Sequence, residues 1–306
     1  MSDPRPLGVF DSGVGGLTVL REIVRRSPHE STIYLGDNAR APYGIRSDEE
    51  VLAFSRQSLD ALVERDVKAI VVACNTSTAV GLGAFRRRYD LPVLGVIRAG
   101  ASAAALATRV RRVGVIATPA TIRSHAYFQA IKDENPAVEV YEHATPALVP
   151  LVEAGTLTGP LAEAAIADAL APLLGGPDSA GDSIFPKPPG ATIDTLLLGC
   201  THYPLLRPLI AAAAGDRVAI VDSATATASA LAELLSVNAM EAPGTTRGTA
   251  ADAGIAGHER PDEQMTPATH RQLTTGDPIA FHTLASLLFG SAFPDVEWID
   301  LGALAG

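Results

Sequence analysis

Two cysteines stand in this sequence, and each closes an apolar run. Ile70, Val71, Val72 and Ala73 lead into Cys74, followed by Asn75, Thr76, Ser77 and Thr78; Leu196, Leu197, Leu198 and Gly199 lead into Cys200, Thr201 and His202. A short apolar run reads as a buried parallel strand, and Asn, Thr and Ser cap helices. Each thiol is thus delivered at a strand end to a helix N-terminus. Two thiols facing one ligand permit a particular reaction: one takes a proton from a carbon, the other returns a proton to the opposite face. The product is the mirror image. A free thiol has a pKa of about 8.5, and lowering it by two units takes roughly 2.7 kcal/mol. A helix N-terminus typically supplies only about 0.3 to 1 kcal/mol. Each cysteine therefore needs a neighbouring proton acceptor, and the candidates are Asp11 for Cys74 and His202 for Cys200.

Taken singly, these residues have plainer readings. A lone buried cysteine is ordinarily a small core hydrophobe. Asp11-Ser12 can cap a helix, His202 can be structural, and Tyr43 can pack. A Cys200-x-His202 metal pair lacks a second Cys/His pair to complete it. The matched pair of strand ends is what favours catalysis. A hydrolase pairing Cys74 with His202 leaves the second cysteine idle, and a small-acid binder or redox sensor whose thiols form a reversible disulfide is the non-enzymatic alternative.

The elements that must position the thiols repeat. Leu7 to Phe10 forms a first strand ending in Asp11-Ser12-Gly13-Val14-Gly15-Gly16, after which Leu17, Leu20, Ile23 and Val24 recur at helical spacing. The glycines do not follow the dinucleotide G-x-G-x-x-G pattern. A strand at Thr32 to Leu35, a helix over about 48 to 65 behind the Ser47/Glu50 capping box, the Cys74 strand and a strand at Leu91 to Ile97 complete one unit. Arg112 to Pro119 then parallels the opening strand, Val138 to Tyr141 the second, the Cys200 strand the third, and Val218 to Ser223 the fourth. Cys74 lies 21 residues before Gly95, and Cys200 lies 21 before Val221. The Gly/Pro-rich stretch Gly175 to Gly190 reads as a surface insertion in the second unit.

These observations predict an α/β protein of two pseudo-symmetric domains, with mostly parallel sheets flanked by helices and the site in the cleft between them. Domain A spans residues 1–97 and is completed by 207–306; domain B spans 98–206. Asn238 to His270 reads as loop or disorder. A closing element follows, with a strand near Gln272 to Thr274, a helix from Asp277-Pro278 carrying Phe281, Leu284, Leu287 and Leu288 on one face, and a strand at Val296 to Leu301.

Composition narrows the function. Net charge is −10 with no basic block, which argues against nucleic acid as partner. No window approaches the roughly 18 apolar residues a membrane span needs, and MSDPRPLGVF lacks a leader pattern, so the expectation is a cytoplasmic protein with reduced thiols. The three lysines, Lys68, Lys132 and Lys187, do not sit in loops suited to a pyridoxal-phosphate Schiff base. At the strand ends hydroxyls and an amide dominate over arginine, which suits a small zwitterion or carboxylate held by helix N-termini.

Together FDSGVGGLTVL, YLGD with APYG, VVACNTSTA, ATPAT, LVEAG, LLLGCTHYP and TGDP, spread over nearly the whole chain, resemble the cofactor-independent aspartate/glutamate racemase family, and glutamate racemase within it. The resemblance implies interconversion of L- and D-glutamate for peptidoglycan with no cofactor and no metal, by a protein that is a homodimer. It implies Cys74 and Cys200 as the acid/base thiols, with Asp11, Glu153 and His202 supporting them. Asp11, Ser12, Tyr43, Gly44, Asn75, Thr76, Thr118, Thr121, Thr201 and His202 would contact the substrate. Aspartate racemase, the same chemistry on a shorter acid, stays open, since pocket shape selects side-chain length. Some relatives also bind DNA gyrase. Ala99 stands where the family usually has proline.

Overall fold

The computed structural model describes residues 2–174, 192–244, 267–290 and 295–302. In chain order, β1 (Leu7–Asp11), α1 (Leu17–Arg26), β2 (Thr32–Gly36), α2 (Asp48–Val63), β3 (Ala69–Val72), α3 (Asn75–Arg88) and β4 (Val93–Gly95) form the first run. Next come α4 (Val96–Ala107), β5 (Arg112–Ala117), α5 (Pro119–Arg123), α6 (Ala126–Glu134), β6 (Glu139–Ala144), α7 (Leu148–Glu153) and α8 (Pro160–Leu174). The rest comprises β7 (Thr195–Gly199), α9 (Arg207–Ala214), β8 (Ala219–Asp222), α10 (Ala224–Val237), β9 (His270–Thr274), α11 (Pro278–Phe289) and β10 (Val296–Trp298).

The strands form two sheets, ordered β10-β9-β2-β1-β3-β4 and β6-β5-β7-β8, and every pairing within them is parallel. The sequence repeat is therefore a topological repeat: β2-β1-β3-β4 and β6-β5-β7-β8 have the same order. Helices cover both faces, which is why the strands read as unbroken apolar runs. On the first sheet Leu7, Val9 and Val71 pack toward α1 and α10, while Phe10, Ile70 and Val72 pack toward α2 and α3. On the second, Ile116, Leu196 and Leu198 face α7, α8 and α9, and Val113, Val115 and Leu197 face α4 and α6. The capping box holds: Ser47 Oγ accepts from Glu50 N–H and the Glu50 carboxylate accepts from Ser47 N–H.

Four expectations change. A boundary at 206/207 would cut the second sheet, because β8 pairs with β7; the chain returns to the first unit with α10, which packs on α1. The strand expected at Leu91 to Ile97 ends at Gly95, and the alanine-rich GASAAALA run draws Val96 and Ile97 into the buried first turn of α4. On α11, Phe281 is buried and Leu284 and Leu288 pack inward, but Leu287 is largely exposed. The closing strand stops at Trp298, short of Leu301. Gly175 to Gly190 and most of Asn238 to His270 lie outside the described residues.

Candidate active site

In each sheet the order reverses between the first and third strands of its unit, and ligands of parallel α/β sheets bind at that crevice, beyond the strand C-termini. Asp11 ends β1 and Cys74 follows β3 across one crevice; Thr118 follows β5 and Cys200 follows β7 across the other. The two crevices face each other and enclose a cavity of about 130 Å³. An apolar cavity of ~150 Å³ admits a benzene-sized guest, so this space suits a small metabolite. Both cysteines line it, and both are free.

Cys74 occupies the N-cap position of α3, where its sulfur accepts from Ser77 N–H at 3.5 Å and bonds Ser12 Oγ at 3.6 Å. Asp11 is not its direct partner. The Asp11 carboxylate is fully buried behind Ser12 and accepts from the N–H groups of Gly13 (3.2 Å) and Gly16 (2.9 Å) and from Thr201 Oγ1 (3.5 Å). Burial pushes the Cys74 thiol up to about 11, and the nearby Asp11 charge adds to this, outweighing the bonds from Ser77 and Ser12. Asp11 itself is raised by burial, against the opposing pull of His202 and the two glycine N–H groups.

Cys200 has different company. Its sulfur lies 3.8 Å from His202 Nδ1, and His202 Nε2 lies 3.0 Å from Glu153 Oε1 on α7. Burial alone would disfavour a charged imidazole. The hydrogen bonds and charges of Cys200 and Glu153 overcome that and hold His202 protonated up to about 10.

The remaining predicted residues gather around the thiols. Thr76 Oγ1 lies 3.0 Å from Thr118 Oγ1 and 3.3 Å from Thr121 Oγ1, and the latter two are 3.0 Å apart, so hydroxyls from both units meet in one cluster. Tyr43 and Gly44 form a 3-10 turn that packs beside this cluster, and a Cβ at Gly44 would come within 2.6 Å of Thr118 Cβ. Every predicted site residue lines the cavity except Asp11 and Thr121, which back it. No lysine or arginine does, among the described residues. Among them, no group of three or more His, Cys, Asp or Glu is placed to hold a metal ion.

Sequence reasoning missed the apolar wall of Pro42, Ile45, Pro119, Pro146, Val149 and Pro150. A signal existed: Pro146, Pro150 and Glu153 fall at i, i+4 and i+7, and Val149 lies four before Glu153, so one face of ATPALVPLVE turns to the site. It also missed Asp37, which is fully buried and accepts from the Tyr43 hydroxyl, Arg40 Nε (2.7 Å) and Thr275 Oγ1 (2.7 Å). That places the TGDP turn behind the Tyr43 loop.

Two thiols at equivalent strand ends of a duplicated fold, on one cavity, are the arrangement expected of a two-sided proton exchange. The sequence model of the Asp/Glu/Hydantoin racemase family matches residues 8–180. The chain belongs to this family. Among its relatives the glutamate racemase of Geobacter metallireducens is 46% identical over 299 residues, covering 98% of each chain. That of Shouchella clausii is 43% identical over 282 residues, 92% of this racemase-family chain and 89% of the relative. In structure, glutamate racemase RacE1 of Bacillus anthracis superposes with a TM-score of 0.80 at 36% identity, covering 97% of this chain and 98% of that one. The Francisella tularensis glutamate racemase, solved with D-glutamate, gives 0.79 at 32% identity, covering 98% of each. The aspartate racemase of Picrophilus torridus shares the racemase fold at 16% identity, with a TM-score of 0.53 over 76% of this chain and 94% of that one.

Proposed function

We propose that this chain interconverts L- and D-glutamate by two-base proton transfer between Cys74 and Cys200, supplying D-glutamate for peptidoglycan. The supporting observation is that both thiols line one cavity from matched strand ends of two repeated units. A thiolate on one wall takes the α-hydrogen as a proton, forming an S–H bond while the C–H electron pair passes into the α-carboxylate. The thiol on the other wall then gives its proton to the opposite face of the α-carbon and becomes thiolate. Configuration is inverted and the two sulfurs have exchanged charge, so the reverse reaction starts from the opposite state.

The walls are unequal. The His202 imidazolium, braced by Glu153, is the counter-ion that a Cys200 thiolate requires. Cys74, raised by burial and the Asp11 charge, is set to hold its proton. On this reading Cys74 is the wall that starts as proton donor. Substrate carboxylates are held by the Asn75 amide, the threonine cluster, Thr201 and the N–H groups at the start of α3, with no lysine or arginine among the described lining residues. On this reading the substrate ammonium faces Ser12, which lines the cavity with the buried Asp11 carboxylate behind it.

The relatives named as glutamate racemases support glutamate over aspartate. A cytoplasmic homodimer belongs to the same reading, on the strength of the resemblance; among the described residues no helix is long and apolar enough to cross a membrane. DNA gyrase as a partner is carried by resemblance alone. The test is exchange of the α-proton in D2O, run on L-glutamate and L-aspartate side by side. Exchange on glutamate, lost or strongly reduced in Cys74→Ala and Cys200→Ala, is the expected result. Undiminished exchange in both variants would sink the two-base assignment, and faster exchange on aspartate would change the substrate.

A further inference from the structure

We propose that Tyr127 is a positioning residue that fixes which way the Asn75 side-chain amide faces, so that its NH2 group is presented to a substrate carboxylate. Asn75 opens α3 in the first unit and lines the cavity. Tyr127 sits on α6 of the second unit, fully buried, and its hydroxyl donates to Asn75 Oδ1 at 2.6 Å. The amide nitrogen of Asn75 is buried and has no partner within the described protein. A buried N–H donor without an acceptor is costly, and a protein keeps one where a ligand supplies the acceptor.

The direction of the bond carries the inference. An asparagine amide has a donor end and an acceptor end, and only the donor end can hold a carboxylate. Turned over, the amide would point its carbonyl oxygen at the substrate's negative charge. A phenol carries one proton and can accept as well as donate. Ser223, the residue that follows β8, lies beside this hydroxyl: a Cβ at Gly100 would stand 3.0 Å from Ser223 Cβ and 3.4 Å from the Tyr127 hydroxyl oxygen. The tyrosine proton goes to Asn75 Oδ1, which leaves the NH2 end of the amide for the cavity. The bond runs from Tyr127 of the second unit to Asn75 and so to the cavity.

The ring is held in place for this task. A Cβ at Gly199, the residue before Cys200, would lie 2.9 Å from Tyr127 Cε2, and one at Gly100 would lie 3.4 Å from its Cε1. Glycine at Gly199 lets the ring pass beneath the Cys200 strand end. Tyr127 thereby links the two units at the site: its own α6, the Cys200 strand and the start of α3 meet on one side chain.

This inference rests on the glutamate racemase reading, and a double-mutant cycle separates the two. In Tyr127→Phe, kcat/KM for glutamate should fall about tenfold, the worth of one oriented hydrogen bond. In an Asn75→Ala background the same change should cost less than about twofold, because the group being oriented is gone. Equal losses with and without Asn75 mean a merely structural contribution and overturn the proposal. If Tyr127→Phe fails to fold by circular dichroism, Tyr127→Leu, which also removes the hydroxyl, is put through the same cycle and decides. The cycle read by calorimetric glutamate binding needs no turnover. A wild-type chain that binds glutamate without racemising it would therefore overturn the function while the cycle still decides Tyr127.

Discussion

Glu153 reaches His202 from α7, its Oε1 3.0 Å from Nε2, while the other ring nitrogen of His202 faces Cys200 at 3.8 Å. One carboxylate thus fixes the ring's orientation and its charge from the side away from the reacting centre. Glu153→Gln keeps the shape and removes the charge. Because a hydrogen bond to a charged group contributes about 1.5 to 3 kcal/mol, kcat should fall roughly ten- to a hundredfold. The check is racemisation kinetics by circular dichroism. An unchanged kcat would show that Glu153 is only part of the cavity wall.

The proton on His202 also ties stability to pH. Its folded value is raised from 6.5 to about 10, so the folded state binds this proton more tightly than the unfolded chain does. The stabilisation is complete below 6.5 and is lost as pH rises toward about 10. Thermal midpoints of the wild type and His202→Asn measured from pH 6 to 10.5 should converge on the alkaline side of that window. The groups facing His202 are Cys200, Glu153 and, by charge alone, Asp11. A gap that widens with pH would contradict the assignment of charge.

At Gly15 the backbone touches two site residues. A Cβ there would stand 2.5 Å from Thr201 Oγ1 and 2.6 Å from His202 Nδ1. Gly15→Ala should fold yet lose two or more orders of magnitude in kcat/KM, since misplacing a catalytic group by about 1 Å can cost a hundredfold. Activity alongside a circular dichroism spectrum distinguishes this from unfolding.

Behind the Tyr43 loop, Thr275 donates to Asp37 at 2.7 Å and its oxygen accepts from Ala39 N–H at 3.1 Å. Thr275→Val removes both bonds at one methyl-for-hydroxyl exchange. Stability in urea should drop by about 1.5 to 3 kcal/mol, the range for a bond to a charged group. KM should rise more than kcat falls, because Tyr43 lines the cavity and hangs from the same carboxylate. Equal changes in both parameters would place the turn outside substrate binding.

Much of this was legible because the signals are local. The apolar runs ending in Cys74 and Cys200, the equal spacings to Gly95 and Val221 and the Ser47/Glu50 box each involve neighbours along the chain. Strand existence and cap chemistry are properties of such short stretches. The boundary at 206/207 was at odds with the repeat itself, which makes Val218 to Ser223 the fourth strand of the second unit, and β8 pairs with β7 accordingly. What the sequence left open is where the chain crosses back, since the packing of α10 on α1 joins residues far apart in the chain.

By itself the sequence determined that two thiols would end matched strands of a duplicated α/β fold, with hydroxyls and an amide beside them. Only the tertiary structure decided the company each thiol keeps: Ser12 and a buried Asp11 behind Cys74, the His202–Glu153 pair at Cys200, Tyr127 beneath Asn75 and Asp37 beneath Tyr43. Burial and through-space charge set the protonation of these groups, and both depend on residues far apart in the chain. Residue type and spacing name the atoms that can react, but desolvation and charge from distant residues decide which of them holds the proton.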